Sequence, residues 1–324
     1  MAHPARSVRT WIVSSFLVAI AVLCHAQCDA AESAACQVCG AVDCAAGCDV
    51  TGGADPDCCA DCYNDCCDDC GCSLFGQLRC RKTLLHWPGG EVTYVTGDEE
   101  MEPIATDRPD FTENTALVGL GVGQVEFGYT YTRDTSNGDT VNAHSYPETL
   151  LRVGVLAEWI EMRVGWNYAS NNNTIGGFAD NTDGGEDLYL GMKFALMEQQ
   201  GWLPALTLLP QMTVPTGSQE YTSDEVMPGL NVLYAWDLND FLTLAASTQA
   251  NRAFDGNGDY YEEYAQSISM GYSLTEKWGA YTEWFVLIPH NAEAADTTTQ
   301  HYLDGGFTYL VNTIFSSTGE PVLA

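Results

Sequence analysis

Residues 159–168 read WIEMRVGWNY, and their alternation decides the fold. In an extended chain successive side chains point to opposite faces. Ile160, Met162, Val164, Trp166 and Tyr168 therefore share one face, and Glu161, Arg163, Gly165 and Asn167 share the other. The same pattern returns in Gln124–Arg133, where Val125, Phe127, Tyr129 and Tyr131 oppose Glu126, Gly128, Thr130 and Thr132. It returns again in DLYLGMKFALM (Asp187–Met197) and in GLNVLYAWDL (Gly229–Leu238). Runs of about nine to eleven residues are what a tilted strand needs to cross the hydrocarbon of a bilayer, whereas strands of soluble domains are mostly about five or six.

Working outward, the alternation predicts ten strands near 124–133, 147–157, 159–168, 186–197, 202–214, 229–238, 240–251, 263–274, 277–288 and 301–311. Their connections alternate in length. The long ones carry SNGDTVNAHS, NNNTIGGFADNTDGG, TGSQEYTSDEVMP, FDGNGDYY and HNAEAADTTT; the short ones fall at Ala157-Glu158, Glu198–Gly201, Asn239-Asp240 and Thr275-Glu276. Outer-membrane barrels have short periplasmic turns and long external loops. On that register Trp159, Trp202, Trp236, Tyr272, Trp278 and Tyr309 gather near the inner rim, and Tyr131, Trp166 and Tyr168 near the outer one. Two such girdles suit rings that prefer the headgroup level. The expected fold is all-β: an antiparallel transmembrane β-barrel of about 10–12 strands, with its amino terminus in the periplasm.

The front of the chain has another character. Arg6 and Arg9 precede an apolar run from Trp11 to Leu23 and a small-residue exit at Ala26, the pattern of a secretory signal peptide over 1–26. Cysteines crowd the segment 27–80, which carries thirteen of the fourteen in the chain, and none follows Cys80. Residues 81–114, with WPGG and GDEEME, read as a linker, and 115–324 as the barrel. The spacings Cys36-x-x-Cys39, Cys59-x-x-Cys62 and Cys67-x-x-Cys70 suit metal knuckles, and Cys58, Cys66 and Cys72 lie among them. No histidine falls between Cys28 and Cys80, and an oxidising periplasm favours disulfides. Both the metal and the disulfide reading stay open, and an odd count leaves one cysteine for another chain, such as an envelope protein.

The formal net charge of −32 argues against nucleic-acid binding, which needs a basic face. The segment DGNGDYYEE (Asp255–Glu263) has the one-three-five spacing of a calcium loop, but Tyr260 stands where glycine is needed. It reads better as a loop tip. No GxSxG or HExxH occurs and the histidines are isolated, so neither catalysis nor a cofactor is expected.

Several stretches resemble a known family. ATDRPDFTEN (Ala105–Asn114), QVEFGYTYTRD, HSYPETLLRVGV with WIEMRVGW, the PTG at Pro215–Gly217, and GYSLTEKWGAYTEWF with YLDGGFTYL are similar to the outer-membrane β-barrel family named for the meta-pathway of phenol degradation, whose members often carry the label transporter. The resemblance implies a barrel of about twelve strands, no catalysis, and passive uptake of small organic molecules, aromatic or hydrophobic ones included. It also implies a further hairpin where this chain ends in VNTIFSSTGEPVLA, an ending we read as short of its closing strands.

With the apolar face toward lipid, the other face lines the lumen. Its charged residues are Glu126, Arg152, Glu161, Arg163, Asp187, Lys193, Asp237, Glu283 and Asp304; Gln211, Asn231, Gln249 and Asn251 are its neutral polar ones. These residues form either a constriction that selects solutes or a ladder of internal ion pairs that fills the barrel. Gly128, Gly154, Gly165, Gly191 and Gly271 on the same face either leave room for a solute or relieve crowding. Three functions compete: an outer-membrane channel whose partners are lipid and a small solute, a plugged structural barrel cross-linked to the envelope through its cysteine segment, and a secreted all-β binding protein.

Overall fold

The computed structural model describes the backbone of residues 12–22, then residues 78–95, 104–107, 110–136, 139–254, 258–293 and 297–311, with short strands at 314–315 and 321–322. The nine cysteines from Cys36 to Cys72 singled out above lie outside the described residues. Cys80 lies inside them, buried and disulfide-bonded.

The strands are β1 (Ile12–Val22), β2 (Gly123–Ser136), β3 (Asp139–Gly154), β4 (Ile160–Trp166), β5 (Tyr168–Ile175), β6 (Phe178–Gly185), β7 (Leu188–Met197), β8 (Ala205–Val214), β9 (Met227–Asn239), β10 (Leu242–Phe254), β11 (Tyr260–Ser273), β12 (Trp278–His290) and β13 (Gln300–Tyr309). They form one antiparallel sheet in the order β1-β2-β3-β4-β7-β8-β9-β10-β11-β12-β13, with β5 and β6 attached beside β3. The protein is all-β. Ile12–Val22, inside the stretch read as a signal peptide, pairs along the free side of β2 from Ile12↔Arg133 to Val22↔Gly123.

Each of the ten expected strands is present. Two expected loops are largely strand: SNGDTVNAHS supplies Asp139–Ser145 to β3, and NNNTIGGFADNTDGG is the β5–β6 hairpin, laid against that outer half of β3 from Ser145↔Ala169 to Thr140↔Thr174. Its paired runs Asn171–Thr174 and Asp180–Asp183 are polar at every position, because a hairpin held by its backbone ladder needs no apolar face. At the handover, Tyr146 and Pro147 face the single residue Tyr129, since Glu148 pairs with Gly128 and Ser145 with Thr130. Proline is tolerated in a sheet at such a bulge.

The sheet curls. Laid flat, β2 and β12 would stand about 40 Å apart at about 4.8 Å per strand. Yet residues 107–112, which reach about 17 Å at full extension, touch both: Asp107 N–H donates to Glu126 of β2 and Thr112 N–H to Glu283 of β12. The sheet therefore wraps around this segment. Its inside is polar: the largest fully buried side chains are Arg152, Arg163, Lys193, Leu209, Leu233, Glu126, Glu161 and Asn231. Its outside is apolar, with Met162 and Trp166 each 41% exposed on the same short β4 that buries Glu161 and Arg163.

Residues 78–95 dock at the short-turn end. Leu84 and Leu85 N–H donate to the carbonyls of Ala195 and Leu196 at the end of β7. Trp159 Nε1 donates to Leu78 O, and Trp87 Nε1 to Pro204 O. Of the stretch expected as a linker, this part packs beneath the turns and residues 104–107 and 110–114 enter the sheet.

Candidate functional site

The site is the contact between residues 104–118 and the inner face of the sheet. The segment is a loop pinched at its base. Asn114 N–H donates to Asp107 Oδ1 at 3.0 Å and Asn114 Nδ2 to Thr106 O at 2.8 Å, the local bonding that Asn and Asp favour over a ladder. The chain then leaves at the short-turn end through Gly119 and Gly121, with φ of 85° and 76°, in the left-handed region that suits glycine. Here Gly121 N–H donates to Gly154 O. A Cβ on Gly154 would stand 1.6 Å from Gly119 O, so this crossing requires glycine.

One wall holds the loop by charge. The alternation of β3, β4 and β7 aims Arg152, Arg163 and Lys193 inward, and all three reach Asp107. Lys193 Nζ lies 2.9 Å from both carboxylate oxygens, Arg163 Nη2 2.9 Å and Arg152 Nη1 3.2 Å from Oδ2. Arg152 also grips Glu161 through Nε at 2.8 Å and Nη2 at 2.9 Å, the two-pronged geometry that guanidinium favours. Arg152 further contacts Glu126 Oε1 at 3.2 Å and donates to the carbonyls of Ala105 and Ala116. Arg163 pairs with Glu113, and Lys193 donates to Asn114 O. These three cations and the carboxylates Glu126 and Glu161 are at most 1% exposed. Charges so far from water persist only when paired and hydrogen-bonded; two wall carboxylates against three wall cations leave one negative charge wanting, and Asp107 supplies it to all three, with the more exposed Glu113 as a further partner of Arg163. Burial pushes the Asp107 carboxyl up, but Arg152, Lys193 and Arg163 outweigh it and hold the group below the usual carboxylate range.

The other wall holds the loop by neutral donors and ring stacking. Phe111 and Thr112 N–H donate to the two oxygens of Glu283 at 2.7 and 2.6 Å. The Thr112 hydroxyl meets Glu283 and lies 2.6 Å from Ser267 Oγ on β11. From Ser267 a chain of side-chain bonds runs back along the interior: Ser247 at 2.7 Å, then Gln249, Asn251 and Gln211 to the hydroxyl of Tyr189. Thr207 of β8 donates to Thr115 O. The Phe111 ring stacks on Phe285 of β12. Asp110, also at this tip, has its carboxyl pushed well above the ordinary range by burial and then by the neighbouring Glu283.

Of the nine charged residues read as lining the lumen, the structure brings Glu126, Arg152, Glu161, Arg163, Lys193 and Glu283 together around the loop. Asp304 is the register partner of Glu283 but stands on β13 and is exposed. Asp187 lies elsewhere, outside the strands, accepting from the backbone N–H groups of Thr216, Gly217 and Ser223. It clasps the 215–226 loop; burial pushes its carboxyl up, but hydrogen bonds from Ser223 and Gly217 outweigh it and hold the group low. Asp237 is exposed at the short-turn end, its backbone bonded to Gln199. The neutral residues Gln211, Gln249 and Asn251 form the chain of bonds, with Asn231 buried beside them. Of the inner glycines, Gly154 is covered by the Gly119 backbone and the others by side chains, with Tyr189 lying across Gly165 and Gly191. Asp107, Phe111, Thr112 and Glu113 carry no strand alternation and were not candidates; the one sign of them in the sequence was the family resemblance of ATDRPDFTEN.

Among the described residues no cluster of three or more His, Cys, Asp or Glu side chains is placed to hold a metal, and no helix is long and apolar enough to cross a membrane. A protein-family model described as "Putative MetA-pathway of phenol degradation" matches residues 106–317. No curated protein matches the chain.

Proposed function

The chain belongs to this phenol-degradation family, and on that footing we propose that it is an outer-membrane β-barrel passing small organic molecules, with residues 104–118 as the plug of its lumen. One observation carries the reading: the sheet buries its charges and exposes its apolar side chains. In water that arrangement would leave Phe127, Leu151, Met162, Trp166, Leu230, Ile268 and Ile288 as a large uncovered apolar surface; in a bilayer it is the expected polarity of a barrel. Removal of the leader takes β1 from the edge of β2, leaving the ten strands from β2 to β13 on the main path. That is an even number, which lets the two ends meet antiparallel. The docked segment 78–95 and the cysteine segment then lie on the periplasmic side.

The same interior supports a second reading. Thr207, Leu209, Asn231, Leu233, Ser247, Ser267 and Glu283 are at most 2% exposed, so the wall is packed at plug level all the way from β8 to β12. A barrel filled in this way also suits a structural envelope protein. Two measurements decide. Heat-modifiable migration after detergent extraction is expected for a barrel, and release without detergent would overturn it. Planar-bilayer conductance is expected to appear when the plug is loosened, and a loosened barrel that never conducts leaves only the structural role.

A further inference from the structure

Phe111 at the tip of the plug lies parallel to Phe285 of β12, with ring centroids 4.3 Å apart and planes at 6°. Phe285 lies parallel in turn to Tyr302 of β13, at 4.5 Å and 12°. Offset or parallel stacking of this kind gives rings a specific seat, beyond the burial of their area. Directly beside the seat, Glu283 accepts from Phe111 N–H, Thr112 N–H and the Thr112 hydroxyl. The plug thus presents a flat ring flanked by hydrogen-bond donors, and the wall presents a stacking face flanked by an acceptor.

We infer that Phe285, Tyr302 and Glu283 form a binding station for small, uncharged planar arenes that carry a hydroxyl donor, and that the plug closes the lumen by occupying this station as an internal mimic of the solute. Such an arene stacks its ring on Phe285 in place of Phe111 and donates its O–H to Glu283 in place of the tip amides. Arenes without a donor leave a buried carboxylate short of partners, a costly outcome for a site built on hydrogen bonds. Anionic arenes meet the like charge of Glu283 and of its register partner Asp304. The inference rests on the channel reading for its biological meaning, though the station itself is a matter of binding.

The test uses the full chain refolded into phosphatidylcholine vesicles, with insertion checked by heat-modifiable migration. Phenol, toluene and benzoate are titrated calorimetrically, and swelling in arabinose reads the channel separately. Phe111→Ala is expected to raise affinity for phenol by about tenfold over the unmodified protein, the size of one stacking contact. Adding Phe285→Ala is expected to remove that gain, and toluene and benzoate are expected to bind Phe111→Ala more weakly than phenol. If Phe111→Ala does not insert, Phe111→Leu, which keeps bulk but no ring, is judged by the same gain. Phenol affinity unchanged by loss of the Phe111 ring, or retained without Phe285, overturns the station. Swelling in arabinose without that gain keeps the channel and sinks the station; the gain without swelling keeps the station and sinks the channel.

Discussion

The two walls that hold residues 104–118 grip the same loop by different chemistry. On β3, β4 and β7 three buried cations converge on one carboxylate, Asp107, near the pinched base. On β11 and β12 the tip is held by Ser267, Glu283 and the face of Phe285. The difference teaches which end moves. Removing one member of a buried ion cluster costs about 3–5 kcal/mol, whereas each hydrogen bond from the tip to the Glu283 carboxylate is worth about 1.5–3 kcal/mol. The base, pinched between Asp107 and Asn114, is therefore the fixed end and the tip the end that lifts.

The largest expected effect comes from breaking the charged wall. Asp107→Asn keeps the shape of the side chain but leaves Arg152, Arg163 and Lys193 facing a neutral amide, at a cost of about 3–5 kcal/mol. The whole loop should leave: amides of 104–118 should exchange hydrogen far faster, and the barrel should conduct continuously. A closed, protected loop in Asp107→Asn would show that the charge cluster is not the anchor.

A smaller effect is expected from the neutral wall. Thr112→Val removes the hydroxyl that joins Ser267 and Glu283 and should weaken the tip by about 1–3 kcal/mol. Exchange should then rise at 110–113 while Asn114 and Thr106 stay protected, with brief conductance events rather than a steady open state. If Thr112→Val released the base as well, the two walls would be one cooperative unit and the contrast between them would fall.

The strands were legible because each must satisfy two environments at once. In Ile160–Trp166 apolar residues alternate with Glu161, Arg163 and Gly165, since one face meets an apolar medium and the other a polar interior. Glu126, Arg152, Glu161, Arg163 and Lys193 could be assigned to a common face for the same reason. The β5–β6 hairpin was not legible, because Asn171, Asn172 and Asn173 sit in a ladder that places no demand on side-chain polarity. The plug was not legible either: ATDRPDFTEN has no period, and its partners, from Glu126 to Glu283, are set by three-dimensional convergence. Only the family resemblance of ATDRPDFTEN marked the segment, and it gave no contacts.

The walls should also answer pH in opposite ways. Asp107 is held low by its three cations, so its contribution is present above the ordinary carboxylate range and is lost only as pH falls through a still lower value. Asp110 is held high by burial and by Glu283, with Asp107 and Asp304 also near. The folded state then binds its proton more tightly than the free loop does, so tip docking weakens as pH rises from the ordinary carboxylate value through the raised one. Mild acid should quiet the brief openings without loosening the base, and Asp110→Asn should flatten that response. Openings that grow more frequent in mild acid would reverse the assignment of the two ends.

The smallest effect is expected at the mouth, where charge is arranged without burial. Arg252 of β10 lies 3.3 Å from Glu225, with side chains 42% and 49% exposed, and its guanidinium stands 4.3 Å over the Tyr260 ring. An ion pair in that setting contributes about 0–1 kcal/mol and is screened by salt. Arg252→Ala should therefore leave plug exchange and conductance unchanged and alter only the 215–226 loop, more at low salt than at high. It carries the same kinds of groups as the Asp107 cluster, so the pair of variants separates charge from burial. If Arg252→Ala opened the barrel as strongly as Asp107→Asn, the grip on the plug would be a long-range field of the chain's net charge, and the buried contacts at Asp107 would not be its source.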